Sequence, residues 1–269
     1  MPYAYKPDSG WALIMHDTVQ DAVRGLEADP FRSLQQVVSE MVAFARPRLL
    51  EGAGEDPSKS RHASWFGLAR NSDPHYLVFG ETSPVRSYRS MAIERLQSKG
   101  RIDEHGFGLL SYSYAAPWST IKLGWLTGER QTDSAVPVDV TPWRNIEWTA
   151  APPQVIPEML RAGNHLFEGV GRIARALDAG DLTRNASTLH QAVGLAAETY
   201  WVLSQAWPYM RGSASIADLT TKVIFDRLGI AVPLFRTDRY PNIEALLSPV
   251  EDFKAGYPSN FQTGFRWLQ

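Results

Sequence analysis

A short segment between two helical patterns reads Trp207-Pro208-Tyr209-Met210-Arg211-Gly212-Ser213-Ala214-Ser215-Ile216-Ala217-Asp218. Before it, residues 187–206 are rich in Ala and Leu and contain no Pro. After it, residues 215–228 repeat apolar side chains at helical spacing and stop at Gly229. This pattern predicts two helices that are joined by a tight corner from Pro208 to Gly212.

The predicted corner has the chemistry of an anion-binding site. The backbone N–H groups of Gly212, Ser213 and Ala214 would point outward at the positive end of the second helix, and Arg211 adds a fixed positive charge. An ordinary helix connection is the competing interpretation, because Ser caps helices well and Gly turns easily.

Composition excludes several classes of protein. A chain of 269 residues with 44% hydrophobic residues can form one or two domains with a real core. Its net charge of −2 argues against a general nucleic-acid binder or a binder of anionic membranes. It has no Cys, which excludes disulfides and thiolate chemistry. No segment resembles a cleaved signal peptide or a membrane span, so we expect a cytoplasmic protein or one exported without a cleaved signal.

The first half of the chain predicts a helical scaffold with short strands. Apolar periodicity and helix-start residues indicate helices over 17–28, 31–46 and 83–100. Residues 52–60 are polar and contain Gly, which indicates a surface loop or a joint. The segments with strand patterns are 76–79, which is short, and 107–114 and 121–126, which are either strands or irregular aromatic segments.

The second half predicts a hairpin followed by a long helix. Residues 136–140 and 146–149 alternate around a turn with Pro and Asn, and their prolines allow only an edge strand or a free-standing ribbon. Residues 156–179 form the helix. We interpret its outer arginines, Arg161, Arg172 and Arg175, as a solvated face.

This order of elements resembles the Fic (Fido) family. There too a hairpin, a Pro-Pro helix start and an Ala-rich helix lead into a loop, which in that family reads His-Pro-Phe-x-Asp/Glu-Gly-Asn-Gly-Arg. Pro208, Tyr209 and Gly212 agree with that loop, and the likeness covers residues 136–249. The resemblance implies a mainly α, Fic-like helical bundle with some short strands, whose hairpin is a flap that docks a target protein by strand addition. It also implies a division into a helical N-terminal region with short strands, 1–135, and a Fic-like core, 136–269.

The loop departs from the family where the chemistry lies. The catalytic His falls on Trp207, whose indole N–H cannot accept a proton. The acidic residue that carries Mg²⁺ falls on Arg211, and the phosphate-holding Arg falls near Ile216. The Asn and second Gly fall on Ser213 and on Ser215 or Ala214. We therefore expect neither the usual His-dependent adenylyl transfer nor a metal site.

The favoured hypothesis is a diverged transferase. It would move a group from a phosphate-bearing, nucleotide-type donor to a protein or a small hydroxyl substrate, with charge stabilisation in place of a His base. The predicted catalytic residues are Arg211, Asp218 and Ser213. The predicted donor contacts are Trp207, Tyr209, Gly212, Ser213, Ala214 and Ser215. The predicted target contacts are Trp143, Arg144, Asn145 and Trp148. Glu198 is interpreted as a salt-bridged or surface acid.

Two other hypotheses use the same sequence. In the first, the protein is a catalytically inactive effector or interaction protein that binds a host or partner protein, since the base, the metal ligand and the phosphate-binding Arg are all lost. In the second, a helical enzyme has its site among His62, His75 and His105 and the aromatic segment 112–118. These histidines are scattered and none has metal-ligand spacing, so single surface or capping histidines are the simpler interpretation.

Overall fold

A computed structural model of the chain describes residues 10–71, 76–80, 85–131 and 142–268. The helices in these residues are α1 Gly10–Ala28, α2 Leu34–Ala53, α3 Pro57–Trp65, α4 Arg89–Lys99, α5 Ile156–Ala179, α6 Ala186–Ala206, α7 Ser213–Leu228, α8 Pro241–Leu247 and α9 Val250–Gly256. The strands are β1 Tyr76–Val78, β2 Arg101–Ile102, β3 Phe107–Ala116, β4 Ser119–Arg130, β5 Trp143–Thr149, β6 Ile230–Ala231 and β7 Arg266–Trp267. The prediction of a mainly α protein is confirmed. None of the described helices is long and apolar enough to cross a membrane.

Helix α6 lies at the centre of the helical layer. Asn185 caps its start, where Oδ1 accepts a hydrogen bond from the N–H of Thr188 at 2.9 Å. The helix packs against α5, α7, α8 and α9, and its Ala residues allow these close approaches. Trp201 is buried in this layer, and its Nε1 donates to the carbonyl of Ser248 at 2.9 Å. The three helices predicted in this half of the chain are therefore confirmed.

Five strands form one antiparallel sheet in the order β1-β5-β4-β3-β2. The segments at 107–114 and 121–126, for which strands were one of two predictions, are strands β3 and β4. Tyr114 joins the sheet to the helices, because its ring contacts Trp201 at 5.3 Å and its hydroxyl donates to Glu198 at 2.7 Å.

The prediction of an edge or free-standing ribbon is wrong for its second arm. Strand β5 lies inside the sheet, between β1 and β4. The prolines that argued for an edge are confined to 137 and 142, outside this strand, so β5 keeps every backbone N–H that an interior strand needs. The first arm, 136–140, lies outside the described residues.

Two further predictions in the first half are corrected. Residues 52–60 are not one loop, because α2 extends to Ala53 and Asp56 caps α3 by accepting from the N–H of Ser58 at 3.0 Å. The helix predicted to end at 46 continues through Pro47, which removes only one helical hydrogen bond. The proposed division at residue 135 stays a prediction, and the sheet takes strands from both sides of it.

Gly124 in β4 tests the sheet register, and Gly194 in α6 provides the contrast. A Cβ on Gly124 of β4 would lie 2.2 Å from the carbonyl oxygen of Thr149, an atom of the neighbouring backbone. We expect Gly124→Ala to lower the free energy of unfolding by about 1 to 3 kcal/mol. In α6, a Cβ on Gly194 would meet nothing within 4 Å. Gly194→Ala should therefore raise the free energy of unfolding by about 0.5 to 1 kcal/mol. Urea unfolding measures both, and an unchanged midpoint for Gly124→Ala would contradict the register.

Candidate functional site

Two residues with positive φ turn the chain from α6 into α7. Trp207 has φ 42° and ψ 61°, and its N–H donates to the carbonyl of Leu203 at 3.2 Å. Gly212 has φ 89° and immediately precedes α7. The predicted tight corner is therefore present, and we call residues 207–212 the corner.

A segment from the first half of the chain lies beside the corner. The N–H of Gly67 donates to Arg211 at 3.1 Å, that of Arg70 to Pro208 at 2.9 Å, and that of Met210 to Leu68 at 2.8 Å. Residues 66–70 are thus joined to the corner by backbone hydrogen bonds and two isolated β-bridges, Phe66 with Arg211 and Ala69 with Tyr209. Sequence reasoning missed this segment, because it has neither strand periodicity nor a turn motif.

The same segment leaves no room for a side chain at the end of the corner. A Cβ on Gly212 would lie 2.5 Å from the ring of Phe66, which is buried. Gly212 is therefore required twice, for its positive φ and for this close approach.

Arg70 is the main polar anchor of the corner. Its side chain is buried, with 3% of the residue exposed. Nε donates to the carbonyl of Trp207 at 2.8 Å, and Nη2 donates to the carbonyls of Ala206 at 3.2 Å and Ala151 at 2.7 Å. Burial lowers the pKa of Arg70, yet a guanidinium stays charged, and two of these carbonyls lie at the negative end of α6. One side chain therefore joins three distant parts of the chain.

Ser213 closes the corner from the other side. Its Oγ accepts from the N–H of Tyr209 at 3.0 Å and donates to the carbonyl of Tyr209 at 3.0 Å. Ser213 is buried, and burial also raises the pKa of the Tyr209 hydroxyl. These hydrogen bonds attach Ser213 to the backbone of Tyr209. The predicted catalytic role of Ser213 stays a prediction.

The two acidic candidates are both ion-paired. Asp218, which lies within α7, is 2.8 Å from Nζ of Lys222 on the next turn. Glu198 is 2.8 Å from Nζ of Lys254 and accepts from the Tyr114 hydroxyl. The interpretation of Glu198 as a salt-bridged acid is confirmed. Proximity to this carboxylate and burial together raise the pKa of the Tyr114 hydroxyl, with burial the larger cause.

The predicted target contacts divide into two groups. Trp148 is fully buried and stacks on Trp207 with ring centroids 5.5 Å apart, so it does reach the corner. Trp143 is buried inside the sheet, with the Arg130 guanidinium 5.3 Å from its ring. Arg144 and Asn145 are exposed on β5, where Asn145 Nδ2 donates to Glu129 at 2.9 Å.

Arg211 is the exposed cation of the corner, and Ala214 and Ser215 are half-buried in the first turn of α7. The start of α7 has no side-chain cap in the described residues. The anion-binding role predicted for these groups stays a prediction, as do the donor contacts at Trp207, Tyr209 and Gly212.

The histidines do not converge in the part of the chain that is described. His62 and His105 are exposed on separate elements, and His75 lies outside the described residues. Tyr112 and Tyr114 are buried in the sheet. No group of three metal-type side chains occurs within residues 10–71, 76–80, 85–131 and 142–268.

A groove lies beside α7, and we call it the α1–α7 groove. Its volume is about 470 Å³, and it is walled by α1, α7, β6 and residues outside the strands. The lining residues are Ala12, Met15, His16, Val19, Gln20, Lys222, Asp226, Ile230, Ala231, Val232, Leu234 and Leu268. Leu234 is 71% exposed at its rim, and Gln20 Nε2 donates to Asp226 at 2.6 Å across its floor.

Comparison with known proteins relates the region from the end of α5 to the β6–β7 ribbon to bacterial avirulence proteins. Residues 178–264 match the family model AvrB_AvrC, described as Avirulence protein. The chain is also similar to Avirulence protein B of Pseudomonas savastanoi pv. glycinea, with 41% identity over 83 residues. That alignment covers 29% of this chain and 26% of the relative, so the match spans about a quarter of the relative's length.

These matches correct the Fic resemblance, which is wrong as a family assignment. The resemblance rested on residues 136–249, and the part of it from 178 onward, which includes the loop, matches the avirulence family instead. Pro208 and Gly212, two of the three residues that agreed with the Fic loop, are residue types that tight turns favour. The Fic-like transferase hypothesis loses its support with the family assignment.

Removal of the Arg70 guanidinium tests the anchor. Arg70→Met keeps most of the apolar stem but leaves three buried carbonyls without their donor, so we expect it to lower the free energy of unfolding by about 3 kcal/mol. Arg24→Met is the control, because Arg24 is exposed and its ion pair with Asp21 contributes less than about 1 kcal/mol. Denaturant unfolding compares the two, and equal losses would refute the anchoring role.

Proposed function

We propose that the protein is an effector-type binding protein that acts by binding a protein of a host cell. The observation that carries this proposal is the match of residues 178–264 to avirulence proteins. On this proposal the corner is a scaffold and the outer surface of the matched region carries the binding site.

The contacts of the corner support a scaffold role. The guanidinium of Arg70, the hydroxyl of Ser213 and the carboxylate of Asp218 each bond to neighbouring groups of the same chain. A partner that bound at these atoms would have to displace contacts of the corner and of α7. A recognition surface is expected where such a cost is absent.

The α1–α7 groove offers a mainly apolar surface that lies partly within the matched region. Its α7 and β6 walls and Leu234 lie inside residues 178–264. A large apolar side chain that is 71% exposed beside an apolar groove is typical of a protein-contact site. Lys222 and Asp226 add polar groups to the lining, where Lys222 pairs with Asp218 and Asp226 accepts a hydrogen bond from Gln20. We therefore assign partner binding to this groove, with Leu234 as an apolar contact.

An effector that acts on a host protein has to enter the host cell. We accordingly propose export without a cleaved signal peptide as the route, rather than retention in the cytoplasm of the producing cell. Detection of the chain inside host cells after contact with the producing bacterium would test this route.

Two leucines of nearly equal exposure allow a matched test of the groove. Leu234 is 71% exposed and lines the groove, whereas Leu13 on α1 is 69% exposed and does not line it. We expect a photo-crosslinking amino acid at position 234 to capture one host protein from extract, and the same residue at position 13 not to capture it. With that protein purified, Leu234→Asp should weaken binding at least about tenfold, or about 1.4 kcal/mol, and Leu13→Asp less than about twofold.

Two results would contradict the proposal. One is the same set of crosslinked proteins from positions 234 and 13, which indicates capture without a specific surface. The other is a purified partner whose affinity is equal for wild type and Leu234→Asp.

A further inference from the structure

The exposed side of α5 carries a row of charged residues outside the matched region. They follow one another at spacings of four and three positions, which places them on one face of a helix. Buried residues such as Met159, Phe167 and Ile173 occupy the opposite face. The row consists of four charged residues and one histidine, and we call it the α5 stripe: Arg161, His165, Glu168, Arg172 and Arg175. From first to last the stripe is about 21 Å long, at about 1.5 Å per residue.

The arginines of the stripe have no carboxylate partner in the described part of the chain. Glu168 is engaged by Asn164 Nδ2 at 2.9 Å and lies 4.0 Å from His165. Asp178, at the end of α5, pairs with Arg227 at 2.6 Å. No described carboxylate lies within 4.0 Å of the guanidinium groups of Arg161, Arg172 and Arg175. The stripe is therefore a local excess of positive charge on a chain whose net charge is −2.

An exposed aromatic ring stands at each end of the stripe. Trp118, in the turn between β3 and β4, is 40% exposed, and the guanidinium carbon of Arg161 lies 5.9 Å from its ring. Phe31, before α2, is 79% exposed, and the Arg175 guanidinium lies 4.9 Å from its ring. Exposed aromatic rings beside arginines are enriched in the centres of protein interfaces. Such ring contacts also restrict the guanidinium group in the unbound protein. This restriction reduces the conformational entropy that is lost on binding.

The guanidinium groups of Arg172 and Arg175 lie close to the backbone of α5. A Cβ on Gly169 would be 3.5 Å from Arg172 Nη2, and a Cβ on Gly171 would be 3.2 Å from Arg175 Nη1. Both arginine side chains therefore fold back onto the surface of α5. The cations are held in a row along the helix surface.

We propose that the α5 stripe binds an acidic segment of a partner protein. Carboxylates of that segment pair with Arg161, Arg172 and Arg175 along about 21 Å, and apolar side chains at its ends contact Trp118 and Phe31. This inference rests on the proposed protein-binding function, and it concerns elements other than those that wall the α1–α7 groove.

The charge pattern favours a protein segment over other polyanions. Nucleic acids and anionic membranes present dense negative charge, and they select proteins with a broad basic excess. This chain is net acidic, and Glu168 lies in the middle of the stripe, where it would repel a continuous row of phosphates. A peptide can place its carboxylates opposite the arginines and a neutral residue opposite Glu168.

A labelled peptide tests the stripe on the full chain. The probe is a synthetic peptide of about 12 residues, long enough to span 21 Å, with Asp and Glu in its centre and Phe near each end. Its control replaces every Asp and Glu by Asn and Gln. Fluorescence anisotropy at about 50 mM and about 200 mM salt should show saturable binding of the acidic peptide that weakens with salt, and no saturable binding of the amide peptide.

Matched double variants distinguish the effect of the α5 stripe on peptide binding from the effect of net charge. Arg161→Glu with Arg172→Glu should weaken binding of the acidic peptide at least tenfold. Arg101→Glu with Arg266→Glu changes net charge by the same amount at exposed sites on other elements, and should change the affinity less than twofold. Trp118→Ala should weaken binding severalfold. The thermal midpoints of all variants show that each is folded.

Several outcomes overturn the proposal. These are no binding of the acidic peptide, equal binding of the amide peptide, or equal losses in the two double variants. Binding to phosphatidylserine vesicles or duplex DNA that depends on the stripe, without peptide binding, would assign the stripe to a lipid or nucleic acid instead. Leu234→Asp should leave peptide binding unchanged, so a failure of the groove and a failure of the stripe are told apart.

Discussion

The buried guanidinium of Arg70 is the interaction on which the arrangement of helices and sheet depends. Carbonyl groups at the end of a helix need donors when water cannot reach them. Here one cation supplies donors to the end of α6 and also to Ala151, which follows β5. A cation without a carboxylate is costly to bury, and the partial negative charge of the helix terminus offsets part of that cost. The sheet and the α6–α7 pair therefore share one polar anchor.

Several polar groups around Arg70 are hydrogen-bonded within the chain, whereas other groups are exposed to solvent farther away. The polar groups nearest the corner bond to one another, and Trp148 covers Trp207 from the sheet side. Exposed arginines of α5 and the exposed side chain of Leu234, which follows β6, lie away from these contacts. A rigid interior with differentiated outer faces suits a protein that acts through contacts, since a pre-ordered surface loses little entropy on binding.

Local signals in the sequence predicted the helices well and the sheet poorly. Asn185 and Gly180 mark helix ends by their own capping chemistry, so α5 and α6 could be located within one residue. The partner of a strand, in contrast, is set by residues far away: β5 pairs with β1 across nearly seventy positions, and no local pattern reports that pairing. Arg70 was missed for the same reason, because a single Arg after a short helix looks like any surface cation. The corner itself was predicted from Pro208 and Gly212, but its shape did not identify its family.

The pairing of residues 66–70 with the corner has a consequence for how the molecule can be divided. The region that resembles avirulence proteins begins more than a hundred residues after this segment, yet its own central turn is hydrogen-bonded to it. Cut out alone, that region would expose the corner carbonyls and the space that Phe66 fills beside Gly212. The residues that match the avirulence family are therefore not the same set as the residues that stabilise the corner. The stretch that matches the avirulence family relies on contacts with residues 66–70, which lie outside it.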